Sequence, residues 1–368
     1  MTKLLLLVCV SLLLAYLSQH RLLVMKIGAR HELDAALAGL IVMLSLFCGL
    51  RTSYNDTWTY IQEFQNAGTT AEFWASGPHL LGNPGYCWFE SAFHQWVSPN
   101  FHVFLMATSV FTVTCFVRFT RRYTADFTFS ILMFFTIGLY TFNMAAIKQC
   151  IAMAILTLAI PRLLKRKYLS FYLLVFLAML FHTYALLFVI LPVFTRRPWK
   201  ALTYLTILAV AVILFTFEST ITNFLELAEN IGKNISAEEV LETESINVLR
   251  LAVYAVPPLC SFAFRKRLAV SLHTEQSLMI NMSVLSFLIM CLGLASAANL
   301  FGRTAIYFEL GTIVILPWML RQIFNKRSAL ALTLLASVCY MAFYMVDITG
   351  FQAEYHAISL GELFRAFF

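Results

Sequence analysis

Long apolar runs alternate with short polar and basic segments along almost the whole chain. A helix needs about 20 consecutive apolar residues to span a bilayer. One run, 168–194, is longer than the others and has His182 near its middle. The pattern predicts an all-α polytopic membrane protein with about 11–12 transmembrane segments. The other runs are 3–19, 33–50, 101–117, 126–142, 144–161, 201–217, 248–264, 277–297, 304–320 and 329–346.

The composition strengthens this prediction. Apolar residues make up 60% of the 368 positions and charged residues only 12%, against about half and a quarter in soluble domains. A soluble enzyme, a disordered protein and a secreted disulfide scaffold are therefore excluded. We interpret 1–368 as a single integral membrane domain. Its first run lacks a strong basic flank and a small-residue cleavage site, so it is expected to be an uncleaved span.

The basic residues predict the direction of threading, because lysine and arginine favour the cytoplasmic side. With the N-terminus outside, the first three basic clusters are cytoplasmic, but a single crossing by 168–194 would leave the later three outside. Two short helices that meet near His182 and return to the same side remove this conflict. One long tilted helix is the alternative. The clusters are Arg21/Lys26/Arg30, Arg118/Arg121/Arg122, Arg162/Lys165/Arg166/Lys167, Arg196/Arg197/Lys200, Arg265/Lys266/Arg267 and Arg321/Lys326/Arg327.

We therefore predict a re-entrant or broken pair of helices around His182, with a polar cavity there, because non-helical backbone at that depth must be buried in protein or face water. The loops 51–99 and 218–247 are then extracytoplasmic. The first is aromatic and is expected to pack on the bundle as a lid. The second holds seven of the nineteen acidic residues and is interpreted as a solvated amphipathic helix.

The net charge of +7 does not indicate nucleic-acid binding, because the basic residues lie in short clusters between apolar runs. The cysteines form no CxxC pair, and no histidine–cysteine group has the spacing of a metal site. The sequence thus predicts no metal and no cofactor.

Ionisable and polar residues inside or beside apolar runs are costly and tend to mark function. In the predicted topology they all lie in the extracytoplasmic half, although their positions were not used to derive it. This convergence predicts a functional site on that side of the membrane. The candidates are Arg51, Asp56, Tyr60, Glu90, Asn143, Lys148, Gln149, His182, Arg303 and Tyr307.

Several candidates have structural alternatives. Arg51 could snorkel to the interface, and Asp56 could cap a helix that starts at Thr57. Lys148 could belong to a structural ion pair, and His182 could be an ordinary core histidine. Arg303 is the only basic residue between Arg267 and Arg321, which favours a pairing or anion-binding role.

The candidates suit chemistry on an anionic substrate. Arg51, Lys148 and Arg303 could neutralise a diphosphate, and Asp56 or His182 could accept a proton from an attacking hydroxyl. Tyrosines and tryptophans of 51–99 could stack on sugar rings, although interface anchoring explains them equally well. No nucleotide-binding glycine loop is present, which favours a lipid-carried donor.

These residues also resemble a known family. The segments Arg51-x4-Asp56-x3-Tyr60, NPGYCWFE with Glu90, Asn143-x4-Lys148-Gln149, Phe181-His182-Thr183 and Gly302-Arg303-x3-Tyr307 together resemble the EpsG family of Wzy-like polymerases, over roughly 35–325. Lys148 stands where the family typically has arginine, so the charge is kept and the bidentate geometry is lost.

The resemblance implies a GT-C-like glycosyltransferase of the bacterial inner membrane that polymerises exopolysaccharide, capsule or O-antigen repeat units. It implies transfer of glycan from undecaprenyl diphosphate to the non-reducing end of another lipid-linked repeat unit. His182 and Asp56 are then the candidate catalytic bases, and the other candidates bind substrate. Expected partners are the lipid-linked oligosaccharide, membrane lipids, a flippase and a chain-length regulator. A lipid-linked oligosaccharide flippase, an O-antigen ligase and a membrane O-acyltransferase remain alternatives.

Overall fold

The computed structural model describes residues 2–27, 31–78, 80, 82–216, 245–349 and 355–367. Most of the acidic segment 218–247, including its glutamates, lies outside the described residues, as does Arg30. The helices are α1 Thr2–Gln19, α2 Ala35–Gly49, α3 Thr57–Gln65, α4 Thr70–Ala75, α5 Pro84–Trp96, α6 Phe101–Tyr123, α7 Phe127–Thr136, α8 Leu139–Ala145, α9 Ile147–Leu164, α10 Tyr168–Phe181, α11 Ala201–Phe215, α12 Val248–Ala263, α13 Arg265–Leu268, α14 Thr274–Leu292, α15 Ala298–Ala305, α16 Glu309–Ile323, α17 Lys326–Asp347 and α18 Leu360–Phe367.

Short elements complete the described part. Three 3₁₀ helices are Thr183–Ile190, Val193–Thr195 and Ile306–Phe308, and four strands are β1 Val24–Ile27, β2 His31–Asp34, β3 Arg51–Ser53 and β4 His356–Ala357. The strands form two antiparallel pairs, β1 with β2 and β3 with β4.

The polytopic helical class is confirmed. Five helical segments are long and apolar enough to cross a membrane, namely α6, α9, α14, α15–α16 and α17, and the bent pair α7–α8 is a sixth. Five further apolar helices have 10–17 residues. The predicted segments are therefore present as helices, but only about half of them have full spanning length.

Local signals explain several helix boundaries. Asp34 accepts a hydrogen bond from Leu37 N–H at 3.0 Å and starts α2, and Asn100 caps α6 in the same way. The prediction of one unbroken helix over 126–142 is wrong. Gly138 has φ of +83°, a conformation that glycine adopts readily, and the chain bends by 50° between α7 and α8.

The predicted break at His182 is confirmed. Helix α10 ends at Phe181, and a 3₁₀ helix starts at Thr183. Asn83 stabilises the break, because its Oδ1 accepts hydrogen bonds from the backbone N–H of Thr183 at 3.1 Å and from its hydroxyl at 3.3 Å. The return of the two halves to one side of the membrane stays a prediction.

The chain divides into two compact units. The first contains 1–162, 168–186 and 333–368, and the second contains 163–167 and 187–332. In the first unit α2 packs on α1 and α6, while α3 and α5 of the predicted lid pack on α6 and α10, respectively. In the second unit α14 contacts α11, α12, α15 and α16.

Candidate functional site

Two short helices of the first unit present the site's aromatic and acidic side chains. On α3, Tyr60 and Glu63 are three residues apart, and on α5, Tyr86 and Glu90 are four apart, so each pair shares a helix face. Helix α5 starts at Pro84, which suits the first position of a helix. The two helices pack together, and the Tyr60 and Tyr86 rings lie 6.4 Å apart.

Close packing holds α5 against the end of α10. A Cβ atom at Gly85 would lie only 2.7 Å from the Cβ of Leu180. Any larger residue at Gly85 would therefore push the helices apart. The same interface carries the Asn83–Thr183 hydrogen bonds, so the His182 break fixes the position of α5.

Lys148 completes the cluster from the first turn of α9. Its Nζ lies 2.9 Å from both carboxylate oxygens of Glu63. It also lies 5.0 Å from the centre of the Tyr86 ring and 5.7 Å from that of Tyr60, within the range of a cation–π interaction. The Lys148 side chain is 23% exposed and that of Glu63 is 37% exposed, so an external ligand can reach both.

We call Tyr60, Glu63, Tyr86, Glu90 and Lys148 the Lys148 cluster. Within it, the Tyr86 hydroxyl donates to Glu90 Oε1 at 3.2 Å. Burial of Glu90, followed by the nearby Glu63 carboxylate, raises the pKa of Glu90 to about 7, against the opposing effects of Lys148 and Tyr86. Near neutral pH this carboxyl can therefore both accept and release a proton.

The two tyrosines respond to the same environment. Burial raises the pKa of Tyr86, with further increases from Glu90 and Tyr60. Burial also raises the pKa of Tyr60, with contributions from Glu63 and Asp56. Both phenols therefore stay neutral at physiological pH and act as hydrogen-bonding and cation–π groups.

Arg51 occupies a different environment at the end of α2. The snorkelling alternative is wrong, because the residue has no exposed surface. Its guanidinium donates to the Cys48 carbonyl at 2.6 Å, to Cys48 Sγ at 3.3 Å and to Thr57 Oγ1 at 3.1 Å. Its Nη2 has no hydrogen-bond partner among the described residues.

A small cavity lies beside Arg51. Its volume is about 10 Å³, near the lower limit for one water molecule. Asn143, from α8, lines it and has a buried Oδ1 without a hydrogen-bond partner among the described residues. A water molecule there could satisfy both Arg51 and Asn143, but the cavity is far too small for a diphosphate. The other lining residues are Leu105, Thr108, Ser109, Thr112, Ile147 and Cys150.

The remaining candidates of the first unit lie near these two groups. Asp56 precedes α3 at the predicted N-cap position, but its side chain makes no capping hydrogen bond. His182 is half-buried, and its ring lies 5.1 Å from that of Tyr184. Gln149 is buried at the start of α9.

Arg303 and Tyr307 belong to the second unit. Arg303 is half-buried in the last turn of α15. Tyr307 is buried with its ring 6.3 Å from Phe188. Glu309 nearby in sequence is fully buried, and its carboxylate oxygens have no hydrogen-bond partner among the described residues.

Sequence reasoning missed Glu63, and it considered Tyr86 only as one of the aromatic residues of 51–99 that could stack on sugar rings. Glu63 carried a usable signal, since it follows Tyr60 by three residues on an amphipathic segment. Tyr86 lies in the NPGYCWFE segment, four residues before Glu90, at the spacing that pairs side chains along a helix. In the described residues, no three histidine, cysteine, aspartate or glutamate side chains are grouped so that they could hold a metal ion.

The long apolar helices define a multi-pass membrane protein. The family model described as EpsG family matches residues 36–359, and the chain therefore belongs to this family of Wzy-like polysaccharide polymerases. This membership supports a membrane protein of polysaccharide biosynthesis. Searches of curated proteins and of solved structures gave no significant match.

Proposed function

We propose that this protein polymerises lipid-linked oligosaccharide repeat units at the outer face of the bacterial inner membrane. It transfers glycan from undecaprenyl diphosphate to the non-reducing end of an acceptor repeat unit. The products are exopolysaccharide, capsule or O-antigen chains. Family membership supports the reaction class, and the Lys148 cluster is the observation that supports this chemistry within the chain.

Lys148 provides positive charge for the leaving group. The acceptor hydroxyl oxygen forms a bond to the anomeric carbon of the donor glycan, and the bond from that carbon to the diphosphate oxygen breaks. Negative charge then accumulates on undecaprenyl diphosphate. A fixed cation in a partly desolvated site stabilises that charge in the transition state. Lys148 is suited to this role because it is accessible and is held both by Glu63 and by the Tyr60 and Tyr86 rings.

Glu90 accepts the proton of the attacking hydroxyl. Its pKa of about 7 matches the requirement for a base that works near neutral pH. Tyr86 links it to the proposed cation, because the Tyr86 hydroxyl donates to Glu90 and the Tyr86 ring contacts Lys148. We therefore assign the base to Glu90 in preference to His182 and Asp56, the candidates from the sequence.

Exposed aromatic side chains on the same two helices as the cluster are suited to the glycan. Trp58 on α3 is 68% exposed, and Trp88 and Trp96 on α5 are 39% and 64% exposed. The Trp88 and Trp96 rings lie 6.3 Å apart. Flat aromatic faces stack on the apolar faces of sugar rings, so we assign these tryptophans to the acceptor or donor glycan.

A deletion strain complemented with variants tests the proposal. We expect Glu90→Gln to abolish long polymer while single repeat units are still exported. Glu72→Gln is the matched control, because Glu72 is exposed on α4 and glutamine preserves its capping box. Surface polysaccharide is resolved on gels at equal membrane expression.

Other outcomes would contradict the proposal in distinct ways. Wild-type chain length in the Glu90→Gln strain would remove Glu90 from catalysis. Absence of exported repeat units in the deletion strain would favour a flippase. Full-length polymer retained on the lipid carrier would favour a ligase.

A further inference from the structure

A basic pocket in the second unit lies apart in sequence from every residue of the Lys148 cluster. It has a volume of about 230 Å³, below the roughly 300–1,000 Å³ of pockets that enclose a drug-sized ligand. It can therefore hold a small headgroup. It is lined by Arg197, Pro198, Trp199, Lys200, Ser261, Arg265, Lys266, Leu268, Ala269, Leu272 and Ile280.

The pocket combines a cationic rim with an apolar floor. Arg197, Lys200, Arg265 and Lys266 are exposed, whereas Pro198, Leu268 and Ile280 are buried. No acidic residue of the described chain lines the pocket, and none of these four cations has an ion-pair partner there. The pocket is therefore complementary to an anion attached to an apolar group.

Trp199 gives the pocket a fixed wall. Its indole Nε1 donates to Ser261 Oγ at 3.0 Å, and its ring lies 4.9 Å from that of Phe262. Its backbone has φ of +58°, which is strained for a bulky residue and is typical of positions that hold ligands. The backbone N–H of Trp199 donates to Thr203 Oγ1 at 3.0 Å, which maintains this conformation.

The pocket also lies near the ends of apolar helices. It is formed by the start of α11, the end of α12, the short α13 and the first turns of α14, and α11, α12 and α14 are apolar helices. Large apolar side chains close in sequence to its lining residues are exposed, including Leu259 at 58% and Val270 at 91%. The threading from the basic clusters predicts that this end faces the cytoplasm, and basic pockets between helices at that surface bind anionic lipid headgroups.

We propose that this pocket binds the phosphate of an anionic phospholipid headgroup from the surrounding leaflet, with Arg197, Lys200, Arg265 and Lys266 as its ligands and Trp199 beside the glycerol. Inorganic phosphate shares this chemistry. We assign the lipid because the exposed apolar residues Leu259 and Val270 are close in sequence to the lining residues Ser261 and Ala269. The inference is independent of the proposed polymerase reaction.

The test uses the full-length protein, delipidated in detergent. Phosphatidylglycerol is added while thermal unfolding is measured, and native mass spectrometry counts bound lipids. We expect phosphatidylglycerol to raise the unfolding temperature of the wild type and phosphatidylcholine to have little effect. In R197Q/K266Q, affinity for phosphatidylglycerol should fall roughly 10- to 30-fold, since each cation near a lipid surface contributes about 1 kcal/mol.

The control R196Q/R267Q removes the same charge from neighbouring exposed residues that do not line the pocket. It should bind phosphatidylglycerol like the wild type. Equal losses in both double variants would overturn the pocket and leave only a general charge effect. Stabilisation by inorganic phosphate alone would overturn the lipid assignment. Should R197Q/K266Q not fold, absence of bound phosphatidylglycerol in wild-type mass spectra would overturn the proposal directly.

Discussion

Lys148 and Arg51 are both cations that the sequence assigns to the same diphosphate, yet their surroundings differ completely. Lys148 is partly exposed, paired with Glu63 and placed over two tyrosine rings. Arg51 is fully buried and donates to the backbone and side chain of Cys48 and to Thr57. The first can meet a substrate, whereas the second ties together α2, β3 and the start of α3.

The difference shows that a charge beside an apolar run has two possible uses. A buried guanidinium with several donors can hold neighbouring segments together, and removing it costs all of those buried hydrogen bonds. An accessible ammonium keeps donors available for a ligand. The C-terminal segment strengthens the structural role of Arg51, because β4 pairs with β3 directly at this residue.

The largest expected effect is therefore at Arg51. Arg51→Leu should destabilise the first unit by about 2–4 kcal/mol, because it leaves buried polar groups unsatisfied, and the protein should largely disappear from the membrane. Membrane abundance and the unfolding temperature in detergent check this. A stable, abundant and inactive Arg51→Leu protein would instead place Arg51 in the substrate site.

Lys148 should show the opposite behaviour. Lys148→Met should leave abundance nearly unchanged and reduce polymerisation about 10²–10³-fold, the typical loss when one group that stabilises developing charge is removed. Lys148→Arg should retain much of the activity because it keeps the charge. Polymerisation is measured with purified protein and a lipid-linked repeat unit.

Lys165→Met is the matched control, because Lys165 is exposed just beyond the other end of α9. It should behave like the wild type. Equal activity losses in Lys148→Met and Lys165→Met would mean that Lys148 has no special role.

The pH dependence sharpens the assignment of Glu90. A base must be deprotonated, so the rate should rise with pH up to the pKa of about 7 and level off above it. Below that value it should fall about tenfold per pH unit. The residual activity of Glu90→Asp should still fall at acidic pH, whereas that of Glu90→Gln should no longer depend on pH in this range. If the rate of Glu90→Gln still fell below the same pH, the titrating group would be another residue, and His182 would be the first to examine.

The smallest expected effect is at Glu63. Its carboxylate helps to raise the pKa of Glu90, so Glu63→Gln should move the midpoint of the pH–rate profile to lower pH. The maximal rate should change only a few-fold, because Lys148 keeps its tyrosine contacts. A midpoint that stays in place or moves upwards would contradict the electrostatic link between Glu63 and Glu90.

Much of the fold follows from the apolar pattern. The predicted runs reappear as helices, and the break at His182 appears where the threading required it. The unbroken helix over 126–142 was wrong because Gly138 adopts a positive φ. Asn143 lies on α8, and a second break at Ala146 separates that helix from α9, which carries Lys148.

The candidate site was predictable only in part. Tyr60, Glu90 and Lys148 were identified because polar residues near apolar runs are costly. Glu63 was missed because a glutamate on a solvent-exposed segment has an ordinary explanation. Its ion pair with Lys148 joins residues that are 85 positions apart, and local spacing cannot predict a contact over that distance.

The sequence alone determined that this is a helical membrane protein, because composition and local periodicity are enough for that. It also determined the break at His182 and, through short motifs, the family. Only the tertiary structure decided which charges are accessible. Helices α3 and α5 surround Lys148 at the start of α9 but leave its side chain partly exposed. Arg51, where β4 pairs with β3, is fully buried. Burial depends on segments far apart in the chain, and burial determines whether a charge serves stability or a ligand.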